Sequence, residues 1–407
     1  MRVWINNPFD NVPGESGRPH RYMLLAQALA ESGHEVAFWS SDFSHPLKRK
    51  RFLQPVESDY RVILVPTRPY KSNVCLARLR SHKAYARSWL EMAVEGIRSG
   101  AMQPPDLVLT SVPPLETGLV AQELRRRFGC KVVADVQDAW PETFYRLLPL
   151  PEMIRGFVGP VLFATYCDRA RQVYQGADWV TGVAESYLVL AREYGAGQVS
   201  ERPYYLGISL PADTDRVEQR DVGKKDILDL IYVGVLGRMH DLDTVIRYVI
   251  QNDRLRLHVA GAGPDERRLR DLAGSHANVV FHGYLDAVRL EDLLLAADVG
   301  VLPMTQASYV AVPNKLIDYV AHGLPVVSSL EGEAAALLEK HQAGVSYRAG
   351  DKSSFERAVG MLIYDRLRRK ALRAGALRLA AERFDAADIY TAFVKELESV
   401  KNGMDRI

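Results

Sequence analysis

RVWIN at residues 2–6, RYMLLAQALAESG at 21–33 and EVAFWS at 35–40 decide the fold. The outer two are short apolar runs of strand length. Between them Tyr22, Leu25, Ala26 and Leu29 fall on one helical face, and Gly33 stops the helix. Strand, crossover helix, strand is the unit of a parallel sheet, because parallel neighbours need a long return connection. The alternation continues through PDLVLTS (105–111), a helix at 116–129 closed by Gly129, KVVADV (131–136) and ADWVTGV (177–183).

The same grammar restarts at LDLIYVG (228–234). A helical stripe follows at Leu242, Val245, Ile246 and Val249, and then RLRLHVAG (254–261), NVVFHG (278–283), VGVLP (299–303) and PVVSS (325–329) read as strands. Pro203, Pro211 and a charged run break the pattern between Arg202 and Gly223. A chain of 407 residues exceeds one ordinary core. The expectation is an α/β protein with two Rossmann-like doubly wound parallel-sheet domains facing across a cleft. The first covers residues 1–205, the second 206–385, and a last helix (386–407) crosses back to the first.

Lys plus Arg number 52 against 50 for Asp plus Glu, too balanced for a nucleic-acid field. Cys75, Cys130 and Cys167 are odd in number and lack metal-ligand spacing, which suits a reducing compartment. No charged leader precedes a long apolar run at the start, so a cytoplasmic location is expected. The most apolar stretch, 147–167, is broken by Pro149, Pro151, Glu152, Arg155 and Pro160, so it reads at most as a segment lying along a bilayer surface. The basic, apolar stretch Lys71 to Leu90 is a second candidate for peripheral membrane contact.

Parallel sheets bind ligands beyond the carboxyl ends of their strands, which singles out four loops. The first holds Gly14, Gly17 and Arg18 ahead of a helix start, where backbone amides attract anions; a plain surface loop is the alternative. In the second half, Gly234, Gly237 and Arg238 in GVLGR, and Gly261 and Gly263 in GAGPDE, each follow a strand. These glycines either approach a phosphate or let a helix pack closely on its sheet. In PNKLIDYVAHGLPVV (313–327), Lys315 sits in a first helical turn, where it opposes the macrodipole at a cost of about 0.3–1 kcal/mol unless an anion satisfies both. Asp318, on the same face, suits a ribose diol or an intrahelical ion pair with Lys315. In the fourth loop, QDAWPE (137–142), Asp138 either meets a substrate or caps the next turn. His20 and His45 follow the first two strands and are candidates for acceptor contact.

GRPHRYMLLAQALAESGHEV, DVQDAWPE, YVGVLGRMHDLDTVI, HVAGAGP and VPNKLIDYVAHGLPVV, in that order, resemble the retaining glycosyltransferases of family 4, particularly a bacterial subgroup that builds surface polysaccharides. The resemblance implies the GT-B fold and retaining transfer of a sugar from a nucleotide diphosphate donor, expected to be UDP-linked. No metal and no other cofactor is implied. The donor would be held by the second domain and a glycan or polyprenyl-diphosphate-linked acceptor by the first. Gly17 would approach the diphosphate, Lys315 and Arg238 would stabilise its leaving charge, and Asp318 would hold the ribose. The family's paired glutamates fall at Val310 and Asp318, its phosphate-loop arginine and lysine at Val235 and His240, and its first-domain histidine at Gln137. Loss of the acid that grips sugar hydroxyls points to a deoxy or N-acetylated amino sugar. A nucleotide-sugar 2-epimerase and a non-catalytic nucleotide-binding subunit are the alternatives.

Overall fold

The computed structural model describes residues 1–15, 19–51, 58–72, 75–145, 148, 150–210, 227–305 and 310–403. The chain divides into two compact units: Met1–Tyr205 with Ala387–Ile407, and Leu206–Ala386.

In the first unit, β1 (Arg2–Asn6), β2 (Glu35–Ser41), β5 (Arg61–Val65), β6 (Leu107–Val112), β7 (Lys131–Val136) and β8 (Trp179–Gly182) form one sheet; β3 (Phe43–Ser44) and β4 (Arg49–Lys50) make a small antiparallel pair beside it. The sheet order is β5-β2-β1-β6-β7-β8, and every neighbouring pair is parallel. The strands read as continuous apolar runs because helices cover both faces of such a sheet. All six residues of β6 are buried accordingly. The second unit repeats the plan with β9 (Leu228–Val233), β10 (Leu255–Ala260), β11 (Val279–Gly283), β12 (Val299–Leu302), β13 (Val326–Ser328) and β14 (Gly344–Ser346), in the order β11-β10-β9-β12-β13-β14. In each sheet the winding reverses beside its first strand: between β1 and β6, and between β9 and β12. Loops diverge there and leave a crevice outside the carboxyl ends.

The final helix, Ala386–Asn402, packs within the first unit. The Phe393 ring stacks on Tyr204 with centroids 4.5 Å apart, and Glu396 accepts hydrogen bonds from the Trp179 indole and the Tyr204 hydroxyl, both at 2.7 Å. Beneath it lies a buried ion pair. The Arg21 guanidinium donates to both oxygens of Asp135, at 2.8 and 3.0 Å, while Tyr22, Thr181 and Gln137 donate to the same carboxylate. Gln137, where the resemblance implies a histidine, is therefore engaged in holding Asp135.

Most of the stretch Lys71 to Leu90 lies in one long helix. The helix Leu76–Arg98 buries Tyr85, Ala86 and Trp89 against the sheet, so its apolar face is core and its outward face is charged. No described helix is long and apolar enough to cross a membrane.

Candidate active site

Strand β9 ends at Val233, and Gly234 turns with φ 140°. Its loop lies on the loop after β10: Gly234 N donates to Ala260 O at 2.9 Å and Leu236 N to Ala262 O at 3.0 Å. A Cβ on Gly261 would stand 1.9 Å from Gly234 O, and one on Gly263 would stand 2.2 Å from Leu236 O. Backbone packing alone therefore demands glycine at both positions. Gly237 meets no such constraint; the one atom near its Cβ position is a Val235 methyl at 3.9 Å.

Across the switch point, the helix Asn314–Ala321 starts after the extended Pro313 and buries Leu316, Ile317 and Tyr319. The Tyr319 hydroxyl accepts from Val233 N at 2.9 Å, which ties this helix to the end of β9. From its first turn Lys315 reaches back over Gly234, whose missing side chain makes room: a Cβ there would lie 2.5 Å from Lys315 Cε. The ammonium donates to the Tyr232 hydroxyl at 3.1 Å and to His240 Nε2 at 2.7 Å. Both partners are neutral. Burial lowers the Lys315 ammonium to about 7, and burial together with the Lys315 charge lowers His240 to about 4. His240 Nε2 then accepts from the ammonium and Nδ1 carries the hydrogen, with the Gly237 backbone as its neighbour. A cation with only neutral neighbours, at a helix N-terminus whose dipole is unfavourable to it, is an arrangement that an anion completes.

Arg238 is exposed on the same loop, and its side chain makes no hydrogen bond or ion pair among the described residues. Asp318 lies one turn into the helix, half-buried, its carbonyl receiving the His322 ring at 2.6 Å. Val310, the apolar side chain at a position where the resemblance implies an acid, is 43% exposed. Gly17 and Arg18 lie outside the described residues, whereas Gly14 turns with φ 88° in a loop pinned by the Arg51–Glu15 ion pair at 3.0 Å.

A second cluster forms beyond the carboxyl ends of the first sheet. Asp138 accepts from Ala139 N at 2.9 Å and from the Thr143 hydroxyl at 3.2 Å, so the capping role weighed from the sequence is present. Burial raises its carboxyl above the ordinary range against those hydrogen bonds and the nearby Arg78 charge. The Arg78 guanidinium lies 5.3 Å from the Phe9 ring centre and 5.6 Å from that of Trp140. His45 meets the Tyr70 hydroxyl through Nδ1. Burial, then Lys48 and Arg78, drive His45 down to about 3, and burial, Arg78 and His45 do the same to His82. Both rings are therefore neutral across the physiological range, and both flank Phe9. His20 stands apart, at the start of the helix Arg21–Glu31 beside the half-buried Asp10.

The structure thus gathers Lys315, Gly234, Gly261 and Gly263 at one switch point, and Asp138 with His45 around Arg78. The sequence reading missed Tyr232, Arg78, His82 and Trp140, and it noted His240 only as a departure from the family pattern. His82 had a signal: it shares the buried stripe of Tyr85 and Trp89, where a histidine is out of place.

Residues 17–203 match the model of the glycosyl transferase 4-like domain, and residues 228–365 that of glycosyl transferases group 1. No curated protein sequence matches the chain. Among solved structures, the chain is similar to sucrose-phosphate synthase from Thermosynechococcus elongatus at a TM-score of 0.74 and 16% identity, covering 98% of this chain and 99% of that one. HepE of Anabaena in complex with UDP gives 0.68 and 14%, with 98% and 100% covered. WaaG, a glycosyltransferase involved in lipopolysaccharide biosynthesis, gives 0.60 and 14%, with 98% and 100% covered. The two family matches and the fold support a GT-B glycosyltransferase.

Proposed function

We propose that the protein transfers a glycosyl group from a UDP-sugar, with retention at the anomeric carbon and without a metal, to a glycan or polyprenyl-diphosphate-linked acceptor of bacterial surface polysaccharide or glycoconjugate synthesis. The observation that carries this reading is the Lys315 ammonium, held by two neutral groups at the amino end of its helix, at the switch point of the second sheet. In the reaction the bond from the anomeric carbon to the diphosphate oxygen breaks and its electron pair stays on the diphosphate. Lys315 and Arg238 stabilise that charge, with Gly17, Gly237 and Gly263 offering backbone N–H groups and Arg18 its guanidinium, while Gly234 and Gly261, whose N–H groups are bonded to Ala260 and Gly283, shape the loop, and Asp318 takes the ribose diol. The acceptor hydroxyl bonds to the same face of the sugar, and its proton leaves toward the departing diphosphate or the carboxylate of Asp138. His20 and His45 are assigned to acceptor contact. The UDP bound by HepE is the support for the base, and the apolar Val310 supports a deoxy or N-acetylated amino sugar.

A panel of UDP-sugars incubated with lipid-linked and soluble glycan acceptors, read by mass spectrometry and NMR, tests this. The expected result is a retained glycosidic product with one deoxy or amino sugar preferred. Lys315→Ala should lower kcat about 100- to 1,000-fold, and Asp318→Ala should chiefly weaken UDP binding. Formation of an epimer without acceptor, or tight UDP binding with no product from any acceptor, refutes transfer. Preference for common hexoses refutes the sugar assignment.

A further inference from the structure

The helix Glu152–Leu162 is inverted relative to a normal surface helix. At 3.6 residues per turn, Met153, Ile154, Phe157, Pro160 and Val161 share one face, and that face is turned outward. Met153 is 76% exposed, Phe157 78% and Val161 76%. The inward side holds Gly159, whose absent Cβ lets the Tyr145 ring approach (a Cβ would lie 2.5 Å from it), and Arg155, whose Nε is fully enclosed. Water-facing helices place charge outside and methyl groups inside; here the polar side chain is tucked in and the apolar ones are presented. Monomeric proteins rarely leave such a contiguous apolar patch uncovered.

Charge nearby indicates what covers it. A groove of about 620 Å³ runs along the helix Leu76–Arg98 beside the segment that follows β5, lined by Lys50, Arg68, Arg80, Lys83 and Arg87, with Glu91 as its acidic residue. Glu91 is engaged by Arg87 at 2.8 Å, whereas the side chains of Arg68, Arg80 and Lys83 make no hydrogen bond or ion pair among the described residues. An aromatic chain joins the first turn of the helix Leu76–Arg98, two residues before Arg80, to the apolar helix: Arg78 lies 5.6 Å from Trp140, Trp140 4.5 Å from Phe144, and Phe144 5.6 Å from Phe163, the residue that ends the helix. An exposed apolar helix with exposed cations on a neighbouring helix is complementary to an anionic bilayer surface, where acyl chains take the side chains and headgroup phosphates take the cations.

We propose that this face docks on anionic lipid, with Met153, Phe157 and Val161 entering the acyl boundary and Arg80 and Lys83 meeting phosphate headgroups. This deepens the lipid-linked acceptor reading, which its test leaves independent, because vesicle binding is read without donor or acceptor.

The full chain should co-sediment with phosphatidylglycerol–phosphatidylcholine vesicles, and weakly with phosphatidylcholine alone. Phe157→Asp with Val161→Asp should reduce partitioning about a hundredfold, since each apolar side chain accounts for roughly tenfold or more. Arg80→Glu with Lys83→Glu should remove the salt-sensitive part. A Phe157→Trp variant should show an emission blue shift and quenching by brominated acyl chains on vesicle addition. UDP-sugar affinity and transfer to a soluble acceptor should be unchanged in Phe157→Asp, which separates lost docking from lost folding or activity. The proposal is overturned if the wild type ignores anionic vesicles, if the helix variants bind as well as the wild type, if the indole introduced by Phe157→Trp is not quenched, or if light scattering shows a dimer that Phe157→Asp dissolves, which would assign the face to a second copy.

Discussion

Raising the pH from 6 to 9 should weaken UDP-sugar binding by between about tenfold and about a hundredfold, and Lys315 should be the cause. Burial lowers its ammonium to about 7, and neither Tyr232 nor His240 supplies a negative charge to offset that. A bound diphosphate supplies it and returns the group toward the ordinary 10.5. Below pH 7 the lysine is charged with or without ligand, so the dissociation constant is flat. Above pH 7 the free protein is neutral at this position and the complex is not, so binding takes up a proton and the constant rises up to tenfold per pH unit. Two units correspond to about 2.7 kcal/mol, and solvent reaching the half-buried ammonium pulls the effect toward the lower bound. His240, near 4, is silent in this window. Titration calorimetry at pH 8.5 in two buffers of different ionisation enthalpy measures the uptake directly, with up to one proton expected. Lys315→Arg should flatten the profile, because its guanidinium stays charged throughout. A dissociation constant that does not change from pH 6 to 9, with zero proton uptake, refutes a diphosphate on Lys315.

Gly261→Ala forces a Cβ to within 1.9 Å of the Gly234 carbonyl and should cost about 3 kcal/mol or more, a fall of roughly 6–12 °C in the melting transition of the second unit. Gly237→Ala, on the same loop with open space around it, should stay within about 1 kcal/mol; similar melting shifts for the two would refute the loop-packing account. Arg21→Met leaves Asp135 charged and buried and should destabilise the first unit by about 3–5 kcal/mol. Adding Asp135→Leu should recover part of that loss in denaturant unfolding, and full additivity of the two changes would show that they do not act as a pair. Asp138→Asn should lower kcat about 100-fold or more while leaving UDP affinity unchanged; unchanged kcat would limit Asp138 to its hydrogen bonds with Ala139 and Thr143.

Strands and helices were legible in this sequence because their signals are local. The apolar runs at 2–6 and 228–233 and the stripe from Leu242 to Val249 need no knowledge of the rest of the chain. So was the repeat of one βαβ grammar on either side of residues 203–223, and the choice of loops that follow strands. What Lys315 touches was decided by sheet order: β12 lies beside β9, which brings a side chain from position 315 onto Tyr232 and His240, some 80 residues away, and makes Gly234 the space that admits it. The same holds for Arg78 between Phe9 and Trp140, a meeting of three distant segments. Direction was also beyond the sequence. Periodicity shows that a helix has two faces, and only its neighbours determine which one meets water. Tyr85 and Trp89 therefore became core in a helix that read as a surface candidate, while Met153 and Phe157, apolar in a proline-broken stretch, were turned outward.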